Sequence, residues 1–563
     1  MAHTNLRLLA TFLLILSGCC VLVAQQQQPR IYWGDDVPGG WNGQWPQELQ
    51  TVAERTGYKR TMTTEQLHEW IAALKTKSEN VHTVDMFTSP LKKVAPAMVI
   101  ANPPVSSPQQ ARASGKPVVF LMGNIHPPEP EAAEALLMVA RDLVAGKRQP
   151  ILDKVIVMIA PIFNVDGTDN VVKQNGSLGS ETPEMLGVRE NSERLDLNRD
   201  AVKLQTVEAN GLYRTLNEWE PLLLLDGHLM SRVSHGYANT YGTETVPAAA
   251  PGPRLYMEQT LFPAVRNQVR TEFGLEVFTH ALPTPNAWPP QAWSHDRAAW
   301  TVEAKFIVND YGLRNRFAII TETPGQPTFE RRIYAHYAYI TALLEHVGSH
   351  VDQMRAIAQK ADDDTVKAVL NGAEAGTLTN FLDGEYRSKG KINVLAYRSG
   401  DIKEQGGAPE VVPNVDDLTD PVGTRSARVP RAYVLPAKLA GIAEKLRMHN
   451  VQVTTLQSPV RVEGEEFTIE RMSSVRRSGY AMTTLDGTFS PMVTRDFPAG
   501  SFYVDMAQPM ANATFYYLEP QARDGFVGWH VLDDALQELG AGGAGGKPVV
   551  YPIFKVRRVL KKD

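Results

Sequence analysis

Residues 123–129, with the sequence Gly-Asn-Ile-His-Pro-Pro-Glu, stand between a segment of strand character and a segment of helix character. The preceding residues 118–125 form a short apolar run that is typical of a buried parallel strand. Residues 131–145 carry apolar side chains at helical spacing. His126 is therefore predicted at the carboxyl end of a strand, where open α/β sheets bind their ligands, with Glu129 just before the helix. A histidine and a carboxylate at this spacing can face one point, which indicates the first half of a metal site.

Strands and helices alternate outward from this stretch over residues 50–350. Alternation of this kind predicts an α/β domain with helices on both faces of the sheet. Shorter segments of both kinds return after residue 430 and predict a second, smaller α/β domain at the C-terminus. The further predicted strands are residues 154–163, 221–225 and 316–321, and the further predicted helices are residues 200–217, 254–273 and 331–347.

The chain divides by composition into four parts. We expect a leader over residues 1–24, a catalytic domain over residues 30–355 and a C-terminal α/β domain over residues 427–563. Between the two domains, residues 356–426 are polar and glycine-rich, which predicts a linker or a loosely ordered insertion.

The overall composition argues against some classes of partner. The chain has 563 residues, of which 43% are hydrophobic and 21% charged, and its formal net charge is −5. This length is sufficient for two or three domains with large cores. The sequence contains no basic stripe, so we expect no nucleic-acid partner.

The N-terminus has the pattern of an export signal. Arg7 precedes an uncharged run over residues 8–24, and four glutamines follow it. Residues 16–19 (Leu-Ser-Gly-Cys) also resemble a bacterial lipoprotein box, which makes a lipid anchor at Cys19 possible, and an uncleaved N-terminal anchor is a third interpretation. No other stretch approaches the ~20 apolar residues of a membrane helix. We expect an exported protein, periplasmic, extracellular or lipoprotein-anchored, with no transmembrane span in the mature chain.

Predicted strand ends bring further polar groups towards His126 and Glu129. His228 and Glu322 stand at the ends of two other predicted strands. Two histidines and one carboxylate leave the fourth position of a tetrahedral zinc ion open, as catalytic sites require. Glu322 would then be free to act as the general base towards a water molecule. A single His-x-x-Glu pattern is weak because most histidines are structural, but a second histidine at a strand end strengthens the interpretation.

The segment 189–200 adds charged and amide groups. Arg199 beside Asn198 offers donors that can hold a carboxylate through paired hydrogen bonds. Asp196 can accept a hydrogen bond from a metal-bound imidazole and so fix its tautomer. The same residues are equally compatible with a helix N-terminus that Asp200 caps and a surface salt bridge.

Together these motifs resemble the zinc carboxypeptidase family of metallopeptidases. The similarity implies a mixed sheet of about eight strands with helices on both faces. Residues 234–237 (Ser-His-Gly-Tyr) resemble an extension of a bacterial branch of the family, and residues 430–436 and 446–450 resemble the extra C-terminal region of its secreted bacterial members. The motifs that carry the resemblance are residues 123–129, 164–167 (Asn-Val-Asp-Gly), 196–200 (Asp-Leu-Asn-Arg-Asp), 226–228 (Asp-Gly-His) and 319–323 (Ile-Ile-Thr-Glu-Thr).

The resemblance implies one zinc ion and a role for each candidate residue. The implied zinc ligands are His126, Glu129 and His228, and Asp196 is implied to support a zinc-bound histidine. The implied catalytic groups are Glu322, as general base, and Arg189, the best candidate for polarising the scissile carbonyl. The implied substrate contacts are Asn198, Arg199 and Tyr237.

The activity implied by the resemblance is that of a metallocarboxypeptidase acting on peptides with a free C-terminus. Two departures from the family pattern concern the substrate side: Pro127-Pro128 between the first two ligands, and Gly227 in place of a bulkier residue before the third. Two other functions remain open. One is an amide hydrolase for cell-wall peptides or acyl-amino acids, and the other is a non-catalytic exported binding protein on the same fold.

Overall fold

The computed structural model describes residues 29–174, 183–231, 233–284, 288–296, 300–398, 407–477, 479–541 and 549–560. The predicted leader, with its candidate lipidation site at Cys19, lies outside these ranges. Within them, every helix is too short or too polar to cross a membrane.

The secondary structure is numbered here in chain order. The strands are β1 (Val81–Thr88), β2 (Val94–Ile100), β3 (Val118–Gly123), β4 (Ile156–Ala160), β5 (Val172–Lys173), β6 (Met185–Leu186), β7 (Leu223–Met230), β8 (Asn239–Thr243), β9 (Val277–Thr279), β10 (Leu282–Pro283), β11 (Ala292–Ser294), β12 (Phe317–Pro324), β13 (Thr379–Arg387), β14 (Lys391–Ala396), β15 (Glu410–Leu418), β16 (Asp420–Arg428), β17 (Ala432–Leu435), β18 (Thr454–Thr455), β19 (Val460–Glu465), β20 (Phe467–Arg477), β21 (Tyr480–Phe489), β22 (Val493–Phe497), β23 (Phe502–Asp505), β24 (Val549–Val550) and β25 (Phe554–Leu560). The α-helices are α1 (Val52–Arg55), α2 (Thr64–Lys75), α3 (Pro108–Ser114), α4 (Glu131–Val144), α5 (Gln149–Lys154), α6 (Val165–Asp169), α7 (Val207–Trp219), α8 (Pro251–Tyr256), α9 (Phe262–Phe273), α10 (Ile307–Gly312), α11 (Phe329–Gly372), α12 (Ala440–Met448), α13 (Ala511–Leu518) and α14 (Asp533–Glu538).

A mixed eight-stranded sheet forms the centre of the first domain, in the order β1-β2-β4-β3-β7-β12-β8-β9. The four central strands, β4, β3, β7 and β12, run parallel to one another. On either side of them, β2 pairs with β4 and β8 pairs with β12, and both of these pairs are antiparallel. Every residue of β3 and β4 is buried, which requires cover on both faces of the sheet. The predicted fold class, a mixed sheet of about eight strands between helices, is therefore confirmed.

Two predicted boundaries near the site are wrong. The helix predicted from Asp200 begins at Val207, because the Asp200 carboxylate accepts hydrogen bonds from the N–H groups of Gln205 (2.9 Å) and Thr206 (2.8 Å) and holds the intervening residues in a turn. Asp200 is thus not the cap of this helix, since the Thr206 side chain accepts the capping hydrogen bond. The strand predicted to end at residue 225 continues through His228, because β7 stays paired with β12 over its whole length.

The stretch 356–426, predicted to be a linker or a loosely ordered insertion, contains regular secondary structure. Helix α11 continues to Gly372, and strands β13 to β16 follow it. Two aspartates of this polar stretch lie on α11: Asp362 pairs with Arg316 at 3.0 Å, and Asp364 forms an ion pair with Lys360 one turn earlier. The described residues of this stretch are therefore structured, while the division into domains at residues 355 and 427 stays a prediction.

The C-terminal region contains a six-stranded sheet, β18-β23-β17-β25-β19-β22, and a smaller sheet of β21, β20 and β24. All strand pairs in these two sheets are antiparallel. Its hydrophobic core also takes in side chains of the first domain, among them Val202, Ala304 and Leu313. The two regions thus share a core.

Candidate metal centre and cavity

His126 and Glu129 follow β3 in a tight turn that leads into α4. The Glu129 N–H donates to the His126 carbonyl at 2.8 Å, and this turn brings Glu129 Oε1 to 3.1 Å from His126 Nδ1. Both residues are buried. The prediction that these two side chains face one point agrees with this geometry.

Two glycines allow α4 to approach the sheet closely enough for this turn. A Cβ on Gly123 would lie 3.0 Å from the Ala133 nitrogen, and a Cβ on Gly227 would lie 2.4 Å from the Ala132 Cβ. Gly123 and Gly227 are partners in the β3–β7 register. Gly227, the small residue that departs from the family pattern before His228, therefore leaves the space into which α4 packs.

His228 lies on β7 and completes the cluster. Its Nδ1 is 3.1 Å from Glu129 Oε2, and the two imidazole rings of His126 and His228 are 5.0 Å apart between centroids. One ligand atom from each of these three residues lies within 4.8 Å of the other two. Among the described residues, they form the one group of this kind.

Carboxylates behind the histidines orient both rings. Asp196 Oδ1 lies 3.1 Å from His126 Nε2, and Asp226 Oδ2 lies 2.8 Å from His228 Nε2. Each ring therefore presents Nδ1 towards Glu129, with its tautomer fixed from the opposite side. Sequence reasoning missed Asp226, although its i, i+2 spacing from His228 places both side chains on one face of β7.

The donor set fits a zinc ion. His126 Nδ1 is buried and makes no hydrogen bond within the described part of the chain. Nitrogen from two imidazoles and oxygen from one carboxylate are the ligands of catalytic zinc sites. Burial alone would raise the pKa of Glu129, but the imidazoles of His126 and His228 hold it well below its ordinary value. The carboxylate therefore stays ionised, as a metal ligand must be.

The charges around the two histidines also favour a cation. Burial would lower the pKa of His228, yet Asp226 and Glu129 raise it well above its ordinary value. The pKa of Asp196 lies below its ordinary range, because His126 and nearby arginines outweigh the effect of burial. Anionic groups thus surround both imidazoles.

Glu322 lies directly opposite His228 in the β7–β12 register. Its Oε2 is shielded from solvent and has no hydrogen-bond partner among the described residues. Burial raises the pKa of Glu322 to about 8, with His228 opposing this rise and Glu129 adding to it. The side chain is therefore an unengaged carboxyl group beside the three candidate ligands.

Two arginines and an asparagine line the same cavity. Arg189 donates from Nε to Asp196 Oδ2 at 3.1 Å and lies 3.0 Å from Glu129 Oε1. The Arg199 guanidinium lies over the Phe306 ring, 4.7 Å from its centroid. Asn198 Nδ2 lies 3.4 Å from His228 Nε2, while Asn198 Oδ1 accepts a hydrogen bond from the Ile307 N–H at 3.2 Å.

The cavity that these groups line has a volume of about 270 Å³. Sequence reasoning missed His280 and Trp300, which also line it, and neither stands in a local pattern that could have revealed it. The lining residues are His126, Glu129, Arg189, Asn198, Arg199, His228, Leu229, Met230, Ser231, His280, Trp300, Phe306, Ile320 and Glu322.

The structure places Tyr237, the predicted substrate contact, outside the cavity lining. Its ring is buried and stacks on Phe278 with centroids 4.8 Å apart. Its hydroxyl accepts a hydrogen bond from the Leu395 N–H at 3.0 Å, and Tyr237 is not among the described residues that line the cavity. Tyr241 and Tyr311 are also buried in the core.

Residues 67–212 match the sequence profile of a family described as zinc carboxypeptidase. "Carboxypeptidase 2" of Trichophyton tonsurans is 22% identical over 479 residues, which cover 79% of this chain and 77% of that protein. "Carboxypeptidase D" of Mus musculus is 33% identical over 91 residues, or 15% of this chain and 7% of that protein. The crystal structure of a metallo-carboxypeptidase from Burkholderia cenocepacia aligns with a TM-score of 0.37 at 15% identity, over 51% of this chain and 69% of that one.

Proposed function

We propose that the chain is a metallocarboxypeptidase of the zinc carboxypeptidase family and that it hydrolyses the last peptide bond of substrates with a free C-terminal carboxylate. One observation carries the proposal. The three candidate metal ligands, an unengaged carboxyl group at Glu322 and the donors of Asn198 and Arg199 all line one cavity.

His126, Glu129 and His228 would hold one zinc ion. When bound there, zinc supplies Lewis-acid chemistry: it polarises a carbonyl oxygen and lowers the pKa of water from about 15.7 to about 7. Asp196 and Asp226 keep the two rings in the orientation that binding needs, because each accepts from the ring nitrogen that faces away from Glu129.

Glu322 is proposed as the general base and then the general acid. Its carboxylate would take a proton from the attacking water and deliver that proton to the nitrogen of the leaving amine. The raised pKa of Glu322, about 8 through burial, favours retention of the proton between these two steps.

Arg189 is proposed to stabilise the negative charge that develops on the scissile carbonyl oxygen. Its guanidinium is fixed by Asp196 and Glu129, so little reorganisation is needed when that charge forms. A preorganised donor of this kind contributes roughly 3 kcal/mol to the transition state in other enzymes.

Asn198 and Arg199 are proposed to bind the terminal carboxylate. The Arg199 Nε is buried and has no hydrogen-bond partner among the described residues, so this donor is available to a ligand. A guanidinium and an amide together can donate to both oxygens of a carboxylate. This pair would explain selection of a free C-terminus.

The variant Glu322→Gln tests the mechanism. We expect it to bind zinc as the wild type does, while kcat falls by about 10²- to 10⁴-fold, the range for loss of general acid–base catalysis. Glu190→Gln is the matched control, because Glu190 is exposed at the same end of the molecule, and it should leave kcat unchanged. Full activity of Glu322→Gln with normal zinc content would rule out the role of Glu322.

A panel of acid and amide substrates separates the proposed function from its alternatives. A carboxypeptidase cleaves peptides with a free C-terminus and spares the amidated forms. Cleavage of muramyl-type peptides or acyl-amino acids in preference to ordinary peptides would indicate the amide hydrolase, and binding without cleavage would indicate the non-catalytic module.

Export is likewise a proposal, and it rests on the sequence of residues 1–24. Intact-mass analysis of the protein from fractionated cells distinguishes its three forms: cleavage after Ala24, lipidation at Cys19, or an uncleaved N-terminus.

A further inference from the structure

The segment 300–307 connects the cavity to the residues proposed to bind the substrate carboxylate. Trp300 and Phe306 line the cavity. The Ile307 N–H donates to Asn198 Oδ1, and the Phe306 ring lies against the Arg199 guanidinium. Because its oxygen is engaged by this N–H, the Asn198 side chain must present its amide donors towards His228 and the cavity. The position of segment 300–307 therefore sets the orientation of both carboxylate donors.

A buried carboxylate of the C-terminal region fixes this segment. The Asp524 side chain accepts hydrogen bonds from the N–H groups of Ala304 at 3.1 Å and Lys305 at 2.9 Å. The Tyr516 hydroxyl donates to Asp524 Oδ1 at 2.7 Å. The exposed fraction of Asp524 is 0%, so it is fully buried. Hydrogen bonds are stronger in a buried, low-dielectric environment, so these two hold both amides in place.

The neighbouring residue of the C-terminal region engages the same segment. Arg523 donates from Nε to Glu303 Oε1 at 3.1 Å and from Nη1 to Asp383 Oδ1 at 2.9 Å. Glu303 also pairs with the ammonium group of Lys305. The backbone of residues 303–305 is therefore held from the C-terminal region through both main-chain and side-chain contacts.

Other contacts between the two regions lack this connection to the cavity. The Asn217 side chain donates to the Met448 carbonyl at 2.8 Å, and it also accepts from Arg314. Neither Asn217 nor Met448 touches segment 300–307 or lines the cavity. The Asp524 hydrogen bonds differ because they end on the segment that contacts Asn198 and Arg199.

We infer that the C-terminal region is a component of the carboxylate-binding site and that Asp524 is its positioning residue. This inference rests on the proposed function, since it assigns a purpose to Asn198 and Arg199. The family match ends at residue 212, so it includes neither segment 300–307 nor Asp524. Asp524 acts through the backbone of Ala304 and Lys305, and a substrate does not need to touch it.

The test compares Asp524→Asn with Asn217→Ala in the full-length, zinc-loaded protein. An asparagine keeps one acceptor oxygen, so one of the two amides of segment 300–307 loses its partner. We expect KM for free-acid peptides to rise by about tenfold or more with a smaller change in kcat, because misplaced binding groups weaken substrate positioning. The preference for acid over amide should fall by a similar factor. Asn217→Ala should keep the wild-type preference.

Hydrogen–deuterium exchange gives a readout that does not depend on catalysis. The amides of residues 304 and 305 should exchange faster in Asp524→Asn than in the wild type and in Asn217→Ala. Slow exchange of these amides in Asp524→Asn would overturn the inference. So would fast exchange combined with an unchanged preference for the free acid, because the segment would then not position the carboxylate donors.

A second variant covers the case in which Asp524→Asn fails to fold. Tyr516→Phe removes only the hydroxyl that donates to the same carboxylate, and it should lower the acid preference by about two- to threefold. An unchanged preference in Tyr516→Phe would then contradict the inference. A wild type that cleaves neither acid nor amide would instead overturn the proposed function, which keeps the two failures distinct.

Discussion

The two ends of the cavity are built in different ways. At the metal end, the side chains come from adjacent strands and the turn into α4, so sheet register and helix packing fix them. At the carboxylate end, Asn198 and Arg199 lie in a short 3₁₀ helix and contact the segment 300–307, which the C-terminal region holds. We therefore expect the proposed metal site to depend on the central sheet and the turn into α4, and the proposed substrate selection to depend also on contacts with the C-terminal region.

Among variants that alter only one end of the cavity, we expect Arg199→Met, at the carboxylate end, to have the largest effect on activity. Loss of the guanidinium should lower kcat/KM for free-acid peptides by about 10²- to 10³-fold, because a charge-assisted bidentate contact to a buried carboxylate is lost. Zinc content should stay at the wild-type value. Steady-state kinetics and metal analysis measure both quantities.

Arg214→Met is the control for this variant, since the Arg214 side chain donates to the Met86 carbonyl far from the cavity. If Arg199→Met lost zinc as well as substrate selectivity, the two ends of the cavity would not be independent.

The reverse effect is expected for Asp226→Asn, which changes the metal end. Asp226 orients the His228 ring, and loss of such a partner lowers metal affinity by about 10- to 100-fold in other metalloproteins. Competition with a chelator of known affinity measures this change. The ratio of acid to amide cleavage, determined at saturating zinc, should not change. A wild-type metal affinity in this variant would show that Asp226 is not needed to orient the His228 ring.

A smaller effect is expected for Gly227→Ala, which tests the packing that brings Glu129 to His228. The added methyl would lie 2.4 Å from the Ala132 Cβ, so α4 must shift. Overpacking of this kind costs about 1–3 kcal/mol of the free energy of unfolding, and zinc affinity should fall with it.

Gly441→Ala on α12 is the matched control for Gly227→Ala. A Cβ at Gly441 meets no atom within 4 Å, and alanine is the better helix residue. Denaturant unfolding should show equal or greater stability there. Equal behaviour of the two variants would refute the close approach of α4 to the sheet.

The smallest effect is expected for Tyr237→Phe. This variant loses only the hydroxyl that accepts from the Leu395 N–H, which should lower the free energy of unfolding by about 1 kcal/mol. KM should not change, because the ring packs in the core away from both ends of the cavity. A marked rise in KM would restore Tyr237 as a substrate contact.

The metal end could be predicted from sequence because its pattern is local. His126 and Glu129 are three residues apart, and His228 and Glu322 each lie near the carboxyl end of a buried strand. Neighbouring parallel strands end at the same edge of a sheet, so residues at those ends lie close together although they are far apart in sequence. Each signal could therefore be recognised within its own short segment.

The carboxylate end could be predicted only in part. Asn198 and Arg199 stand in a recognisable motif, but Trp300 and Asp524 reach the site from about 100 and 325 residues further along the chain, without any local pattern. The placement of Tyr237 outside the cavity lining has a related reason. Nearness in sequence to His228 does not decide whether a side chain points into the cavity or into the core. The continuation of α11 beyond residue 347 was missed because Asp362 finds its partner, Arg316, in a distant segment.

The measurement that tests the central claim most directly is a digest of paired peptides, identical except for a free or an amidated C-terminus. Mass spectrometry would follow the products, with zinc content determined on the same sample. We predict one zinc ion per chain, removal of single residues from the free-acid peptides, and intact amides, with activity lost on chelation. Equal cleavage of both forms, or cleavage at internal bonds, would contradict the account.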